Sequence, residues 1–210
     1  MQIVSAPAVT YTETSSEGIF LSLKRWVLLR FILDTSYFKN LSDRKWLADK
    51  FMPKLSALRN QRILFVGCEY YTWENLKVFH ESIDLVTVDY NEKSFLWGGK
   101  HHFIADIREI DCVLGTASFD MIVLNGVFGH GVNTTEDQSR TFKALRHIMK
   151  PEALLMVGWN HDLSQDPIEL LVCQELFYRT NYEDLPKRTC FSDSTHVFDF
   201  LKAKSRLTIY

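Results

Sequence analysis

The sequence has no surplus of charge of either sign: 24 lysines and arginines stand against 26 aspartates and glutamates over 210 residues, a formal charge of -2. That balance, with an isoelectric point near 6.4, lacks the basic footprint that phosphate-backbone binding requires, so nucleic acid is not an expected partner. Cysteine is scarce and scattered. Cys68, Cys112, Cys173 and Cys190 form neither a CxxC pair nor a Cys/His zinc spacing, so no metal site is expected, and the thiols read as reduced in a cytoplasmic protein. A long uncharged apolar run is also missing. The best candidate, 19–33, is interrupted by Lys24, Arg25 and Arg30, whereas a membrane-spanning helix needs about 20 predominantly apolar residues. No basic n-region precedes the first apolar stretch, so no secretory signal is expected.

What remains is ordinary globular material. Hydrophobic residues make up 46% and charged residues 24%, which excludes a disordered, collagen-like or low-complexity chain and suits one core. The first 60 residues differ in character from the rest and read as a helical appendage (1–60) before a main domain (61–210). In 19–33, Phe20, Leu23, Val27 and Phe31 recur near helical spacing while Lys24 and Arg25 sit off that stripe. Such a helix packs on a domain, lies on a membrane surface or serves as a contact between copies. A second helix is expected from Ser42, an N-cap residue, with Asp43 in its first turn, Trp46, Leu47, Phe51 and Leu55 along one face, and Pro53 dividing it.

From Arg62 the pattern changes to short apolar runs separated by helical segments, the mark of a parallel sheet with crossover helices. Ile63–Val66, Leu85–Val88, Phe103–Ala105, Met121–Leu124 and Leu154–Val157 are continuous apolar runs, as strands covered on both faces should be. Helices are expected at Glu136–Met149, with Pro151 marking the end, and at Pro167–Tyr178. A hairpin should follow, with Cys190 and Phe191 on one arm, His196–Leu201 on the other and Ser192–Ser194 at the turn.

In an open parallel sheet, ligands bind beyond the carboxyl ends of the strands. Gly67 follows the first run and allows a sharp turn that brings backbone amides toward a ligand, with Cys68 and Glu69 next to it. The second run ends at Asp89 and Tyr90. A carboxylate at Asp89 suits a ribose diol, because it can accept two hydrogen bonds. The third ends at Asp106 and Ile107, where a carboxylate can receive an exocyclic amine, and the fourth at Asn125 and Gly126.

These strand-end residues, with ALRHIMKPEALLMVGW (144–159) and THVFDFL (195–201), resemble a class I S-adenosylmethionine-dependent methyltransferase over roughly 62–202. NGVFGHGVN (125–133) and GWN (158–160) are similar to a branch that methylates small molecules and saccharides. The resemblance implies a Rossmann-like, doubly wound α/β fold with a mostly parallel seven-stranded sheet closed by a C-terminal antiparallel strand. It implies S-adenosylmethionine as cofactor, held by Gly67, Cys68, Glu69, Asp89, Tyr90, Asp106, Ile107, Asn125 and Gly126, and transfer of a methyl group to an oxygen or nitrogen of a small-molecule acceptor. The departures are Phe65 at a position often acidic, Glu69 and Tyr71 in place of glycines, and Glu152-Ala153 in place of Gly-Gly. Glu69 might as well replace the missing acid against the cofactor's amino group, and a left-handed backbone there would cost roughly 1–2 kcal/mol.

Methyl transfer needs alignment above all, and a base only where the acceptor atom carries a proton. His130, after the fourth strand, and His161, after the fifth, are the candidate bases, with Asp162 able to orient His161. No N-P-P-[YF] segment follows the fourth strand, since Asn125 precedes Gly126; with the balanced charge this favours a small molecule. Two other readings stand beside this one: a non-catalytic binding or assembly protein that keeps the fold, and an NAD-dependent oxidoreductase. The latter's G-x-G-x-x-G turn is met by only Gly67.

Overall fold

A computed structural model describes residues 10–13, 19–32 and 40–205. Its sheet contains β1 (Thr10–Glu13), β2 (Arg62–Val66), β3 (Asp84–Asp89), β4 (His101–Ile104), β5 (Phe119–Asn125), β6 (Met149–Asn160), β7 (Phe177–Arg179), β8 (Arg188–Cys190) and β9 (His196–Ala203). The order is β1-β4-β3-β2-β5-β6-β9-β7, with β8 also paired to β9. All five expected strands are present and run parallel to their neighbours, and β9 closes the sheet antiparallel to β6. The fold class is the expected one, but the sheet has nine strands rather than seven, because β1, β7 and β8 are short edge pairings that carry little apolar pattern of their own.

Side-chain alternation in the parallel strands makes two buried layers. Ile63 and Phe65 of β2, with Met121, Val123, Met156, Phe198 and Phe200, face the helical segment at 42–57, which buries Leu47, Phe51, Met52 and Leu55 against them. Leu64, Val66, Ile122, Leu124, Leu155 and Val157 face the other way, onto Phe142, Leu145 and Ile148 of the helix Thr135–Ile148. Burying one such side chain contributes roughly 1.5–3 kcal/mol, so the four from 42–57 make that segment part of the core. Pro53 falls in the first turn of Met52–Ala57, after a π-helical turn at Leu47–Phe51, which is the division expected of it. Ser42 is not the cap. Leu41 holds that position, and the Ser42 hydroxyl instead donates to Asp193 Oδ2 at 2.7 Å, tying the helix Ser42–Trp46 to the turn before β9.

Three other expectations are corrected. The crossovers on the β2-β3-β4-β5 side are single turns, Trp73–Leu76, Glu92–Leu96, Ile107–Glu109 and Asp111–Leu114, rather than full helices. Asn91 and Asp106 accept hydrogen bonds from the amides of Lys93 and Arg108, local bonds that compete with helix propagation. Pro167–Tyr178 is a 3-10 turn at Pro167–Glu169, a helix at Leu171–Leu176 and then β7, because Phe177 is drawn into the core and the chain there pairs with β9. Pro151 lies inside β6, near a register shift between Phe119 and Met121. Beside it Glu152 takes φ 63°, so this replacement for glycine is strained, and its carboxylate is held by Tyr178 Oη at 3.0 Å and Lys202 Nζ at 3.1 Å.

The helix Ile19–Val27 presents its apolar stripe outward. Leu23, Trp26 and Phe31 are 53%, 56% and 68% exposed, and Arg25 is the residue that turns inward. Its guanidinium sits 3.8 Å above the Trp73 ring and donates to the carbonyls of Leu96 and Gly98. A cation–π contact and two carbonyl acceptors satisfy the charge there, which an apolar side chain could not do. The side chain of Phe20 and the residue Leu33 lie outside the described part. Among the described residues, no helix is long and apolar enough to cross a membrane.

Candidate active site

The ends of β2, β3, β4 and β5 open on one edge of the sheet, and their following residues wall two adjoining cavities. Gly67 makes the first turn at φ 91°, and a Cβ there would lie 2.3 Å from the carbonyl oxygen of Asn125. Only glycine fits, so β2 and β5 approach closely where the cleft begins. The Gly67 amide donates to the carbonyl of Val88 at 3.1 Å. Beside it, the Cys68 amide donates to Asp89 Oδ2 and the Asn91 amide to Oδ1, both at 2.8 Å. These two bonds fix the carboxylate plane while leaving lone pairs for a ligand. Burial raises the Asp89 carboxyl above its usual value, and the amide bonds act against that rise.

The first cavity, about 270 Å³, is largely apolar. Val66, Ala105, Ile107, Val127 and Val132 surround it, with Asp89, Tyr90 and Gly131 at the side. Asp106 reaches it but is already engaged. Arg108 donates from Nε to both of its carboxylate oxygens at 2.9 Å and from its backbone amide to Oδ1 at 2.9 Å. Arg108 Nη1 also donates to Asp137 Oδ1 at 2.8 Å. Despite the burial that opposes ionisation, the guanidinium holds Asp106 below the usual carboxylate range. An exocyclic amine would therefore meet the remaining lone pairs of an ionised group.

The second cavity, about 200 Å³, is polar and shares Gly67, Asp89, Tyr90, Gly126 and His130 with the first. Glu69 is on its wall and keeps a negative φ, since Asn60, Ala117, Glu152 and Glu183 are the non-glycine residues at positive φ among those described. Its turn is closed by Thr72, whose hydroxyl donates to the Glu69 carbonyl at 2.8 Å and accepts from the Glu69 amide at 3.0 Å. Burial first, and the Asp89 charge second, raise the Glu69 carboxyl.

Behind Asn125, His196 of β9 is held between two carboxamides. Its Nε2 lies 3.0 Å from Asn125 Oδ1 and its Nδ1 3.0 Å from Asn160 Oδ1. Burial, and then the charge of Arg44, push the imidazole down to about 3, so it is neutral and works as a hydrogen-bonding strut. Gly158 makes room for this group, as a Cβ there would lie 2.1 Å from Asn125 Oδ1.

The structure thus brings Gly67, Glu69, Asp89, Tyr90, Asp106, Ile107, Asn125, Gly126 and His130 around one continuous cleft. Cys68 contributes its amide; its thiol is buried and lines neither cavity, and burial raises it well above the usual range. His161 and Asp162 are exposed, and they too line neither cavity. Sequence reasoning missed Arg44, Tyr71, Thr72, Asn160 and His196. Tyr71 and His196 stand in segments that had been singled out, but no spacing marks Arg44.

No protein-family model matches the chain, and no curated protein does. Solved structures do. The N-methyltransferase NodS from Bradyrhizobium japonicum WM9, in complex with S-adenosyl-L-homocysteine, superposes with a TM-score of 0.60 at 12% identity, covering 89% of this chain and 97% of its own. A TehB-like SAM-dependent methyltransferase from Corynebacterium glutamicum gives 0.55 at 14%, covering 81% and 98%. The 16S rRNA (adenine(1408)-N(1))-methyltransferase from Catenulisporales acidiphilia gives 0.51 at 14%, covering 75% and 92%. Because an rRNA enzyme is among these structures, the fold leaves a nucleic-acid acceptor open, contrary to what the charge balance suggested. At such identities the likeness establishes architecture: the chain has the Rossmann-like fold of the S-adenosylmethionine-dependent methyltransferases.

Proposed function

We propose that the protein is an S-adenosylmethionine-dependent methyltransferase that modifies an oxygen or nitrogen of a small-molecule acceptor, saccharides and natural products among the candidates, in a reducing, cytoplasmic setting. The observation that carries this reading is the joined pair of cavities at the strand ends, with the fixed Asp89 carboxylate where they meet. The shapes and charges fit the cofactor in order. The apolar cavity suits a purine between Ile107, Val127 and Val132, and Asp106 is ionised at its edge. Asp89 suits a ribose diol, and Glu69, raised by burial and by its acidic neighbour, would regain a favourable ionised state beside an ammonium group.

When bound, S-adenosylmethionine supplies a methyl carbon on a positively charged sulfur, open to displacement by an oxygen or nitrogen lone pair. This chain's residues would orient and enclose. Asn125, fixed by His196, walls the polar cavity, and His130, which lines both cavities, is the group placed to accept the proton of an acceptor hydroxyl or amine. The weak net charge supports a small acceptor over RNA. The outward apolar stripe at Leu23, Trp26, Val27 and Phe31 supports a contact with another copy or with a surface, apart from the cleft.

Calorimetry tests the reading. S-adenosylmethionine and S-adenosylhomocysteine should bind with micromolar affinity, and Asp89→Ala should weaken both at least tenfold, as loss of a charged hydrogen bond worth about 1.5–3 kcal/mol requires. Absence of heat with either ligand would overturn it.

A further inference from the structure

The polar cavity has one permanently charged cation on its wall, and that cation is underused. Arg44 lines the cavity with Nε and Nη1 both buried, and neither makes a hydrogen bond among the described residues. Its ion contact is with the adjacent Asp43, whose Oδ2 lies 3.4 Å from Nε. Buried guanidinium donors are normally paired, so a pair of idle ones in a cavity wall points to a partner that arrives from outside.

The side chain is also held in place. Its helix, Ser42–Trp46, is anchored at one end by the Ser42 bond to Asp193 and at the other by Trp46, which stacks on Phe198 with ring centroids 4.8 Å apart. Arg44 Cζ rests 5.1 Å from the centroid of the Tyr71 ring. A cation laid on an aromatic face keeps its edge donors available for a planar anion.

Charge is distributed unequally along this cavity. Glu69 and Asp89 make the end at the Gly67 turn acidic, while the field of Arg44 reaches His196, on the far side of Asn125. The anion should therefore belong to the molecule that occupies the Asn160–His196 end. A single guanidinium beside two carboxylates balances one negative charge better than two, which favours a carboxylate over a phosphate.

We propose that Arg44 reads a carboxylate on the acceptor, so that the substrate class is a small monoanionic acid with its methylated oxygen or nitrogen turned toward His130. This rests on the methyltransferase reading and narrows it. The recognition would use the fork geometry of the guanidinium, which lysine lacks.

The experiment needs no knowledge of the acceptor, because sodium acetate serves as the probe and acetamide as its uncharged control, both at constant ionic strength. In protein labelled with 15N-arginine, the Nε–H resonance lost in Arg44→Lys identifies Arg44. Acetate should move that resonance along a saturating curve, with and without S-adenosylhomocysteine, and acetamide should not. Calorimetry with S-adenosylhomocysteine should change less than threefold in Arg44→Gln and in Arg44→Lys. An unsaturable response to acetate, or an equal response to acetamide, would overturn the proposal. So would a larger loss of S-adenosylhomocysteine affinity in both variants, which would assign Arg44 to the cofactor's own carboxylate. If acetate saturates Arg44 but S-adenosylhomocysteine gives no heat, the methyltransferase reading falls, and the acceptor role falls with it while the anion site stands. Retained heat with no acetate response removes the acceptor assignment alone.

Discussion

The two cavities that meet at Gly67 are made in different ways. The apolar one is walled by residues that directly follow β2, β3, β4 and β5, so the sheet's register alone sets them side by side. The polar one draws Arg44 from the helix before the sheet, Tyr71 from a turn, Asn160 from the end of β6 and His196 from the start of β9. One is a product of local strand geometry, and the other depends on distant segments docking correctly. It follows that the first should tolerate change in its surroundings, and that the second is where specificity can vary without disturbing the fold.

The largest expected effect would mark the polar cavity as the seat of chemistry. His130→Ala should lower kcat by about 10²–10⁴-fold once an acceptor is found, with S-adenosylmethionine affinity nearly unchanged, since general-base help has that size. His130→Asn keeps hydrogen bonding but not proton transfer, so normal turnover in that variant would make the residue a positioning group. In the same assay His161→Ala should alter kcat/KM less than twofold, because the side chain is outside both cavities. Initial-rate measurements on the three variants decide the matter.

Next in size is Gly67→Ala, which strikes the point common to both cavities. A Cβ 2.3 Å from a backbone oxygen, at φ 91°, forces β2 and β5 apart or twists the turn. Left-handed strain and overpacking together should cost about 2–5 kcal/mol, read from urea unfolding. A loss below 1 kcal/mol would mean that the turn is freer than its contacts indicate.

The third prediction separates the polar cavity from the sheet's outer strands by acid. His196 is pushed down to about 3 and His102 to about 4, in both cases chiefly by burial, with Arg44 adding to the first and Arg25 to the second. Unfolded imidazoles take up a proton near 6.5 while these folded ones resist it. The stability they contribute is therefore whole above that pH and is lost as pH falls from 6.5 toward the folded values. At pH 5.5 the loss should be about 1.4 kcal/mol for each, measured as unfolding free energy against pH 7.5. Asp89 and Glu69, raised by burial, work in the opposite sense as acid protonates them. His102 is bonded to Thr87 and Ser94 away from the cleft. His102→Gln should thus remove about half of the acid sensitivity and spare ligand binding, whereas His196→Gln should remove the other half and disturb the polar cavity.

The same division explains what was legible in the sequence. Continuous apolar runs disclosed all five parallel strands, and from their ends Gly67, Asp89, Asp106 and Asn125 could be placed on one edge, because register is a local property. Arg44 could not be found that way: its place depends on Ser42 meeting Asp193 and Trp46 meeting Phe198, contacts between residues about 150 positions apart. Helix orientation failed for a related reason. The apolar stripe at Leu23, Val27 and Phe31 promised burial, yet Trp73 and two carbonyls offered Arg25 a better-satisfied seat. Glu69 looked costly in place of a glycine only until the backbone was seen to stay at negative φ there, while Glu152, at a comparable replacement, does carry the strain.

β1 lies antiparallel along the outer edge of β4, pairing Thr10 with Ile104 and Glu13 with His101. As the chain leaves the ribosome this strand emerges first, yet its partner is made only after most of the first half has been added. It cannot seed the sheet and must wait to dock on an edge that β3 and β4 have already formed. Until it does, the backbone donors and acceptors of β4 are open to any passing strand, and such edges recruit neighbours. The opening segment of the chain therefore acts as a late seal against edge-to-edge aggregation, protecting the nascent protein at a boundary where the cleft plays no part.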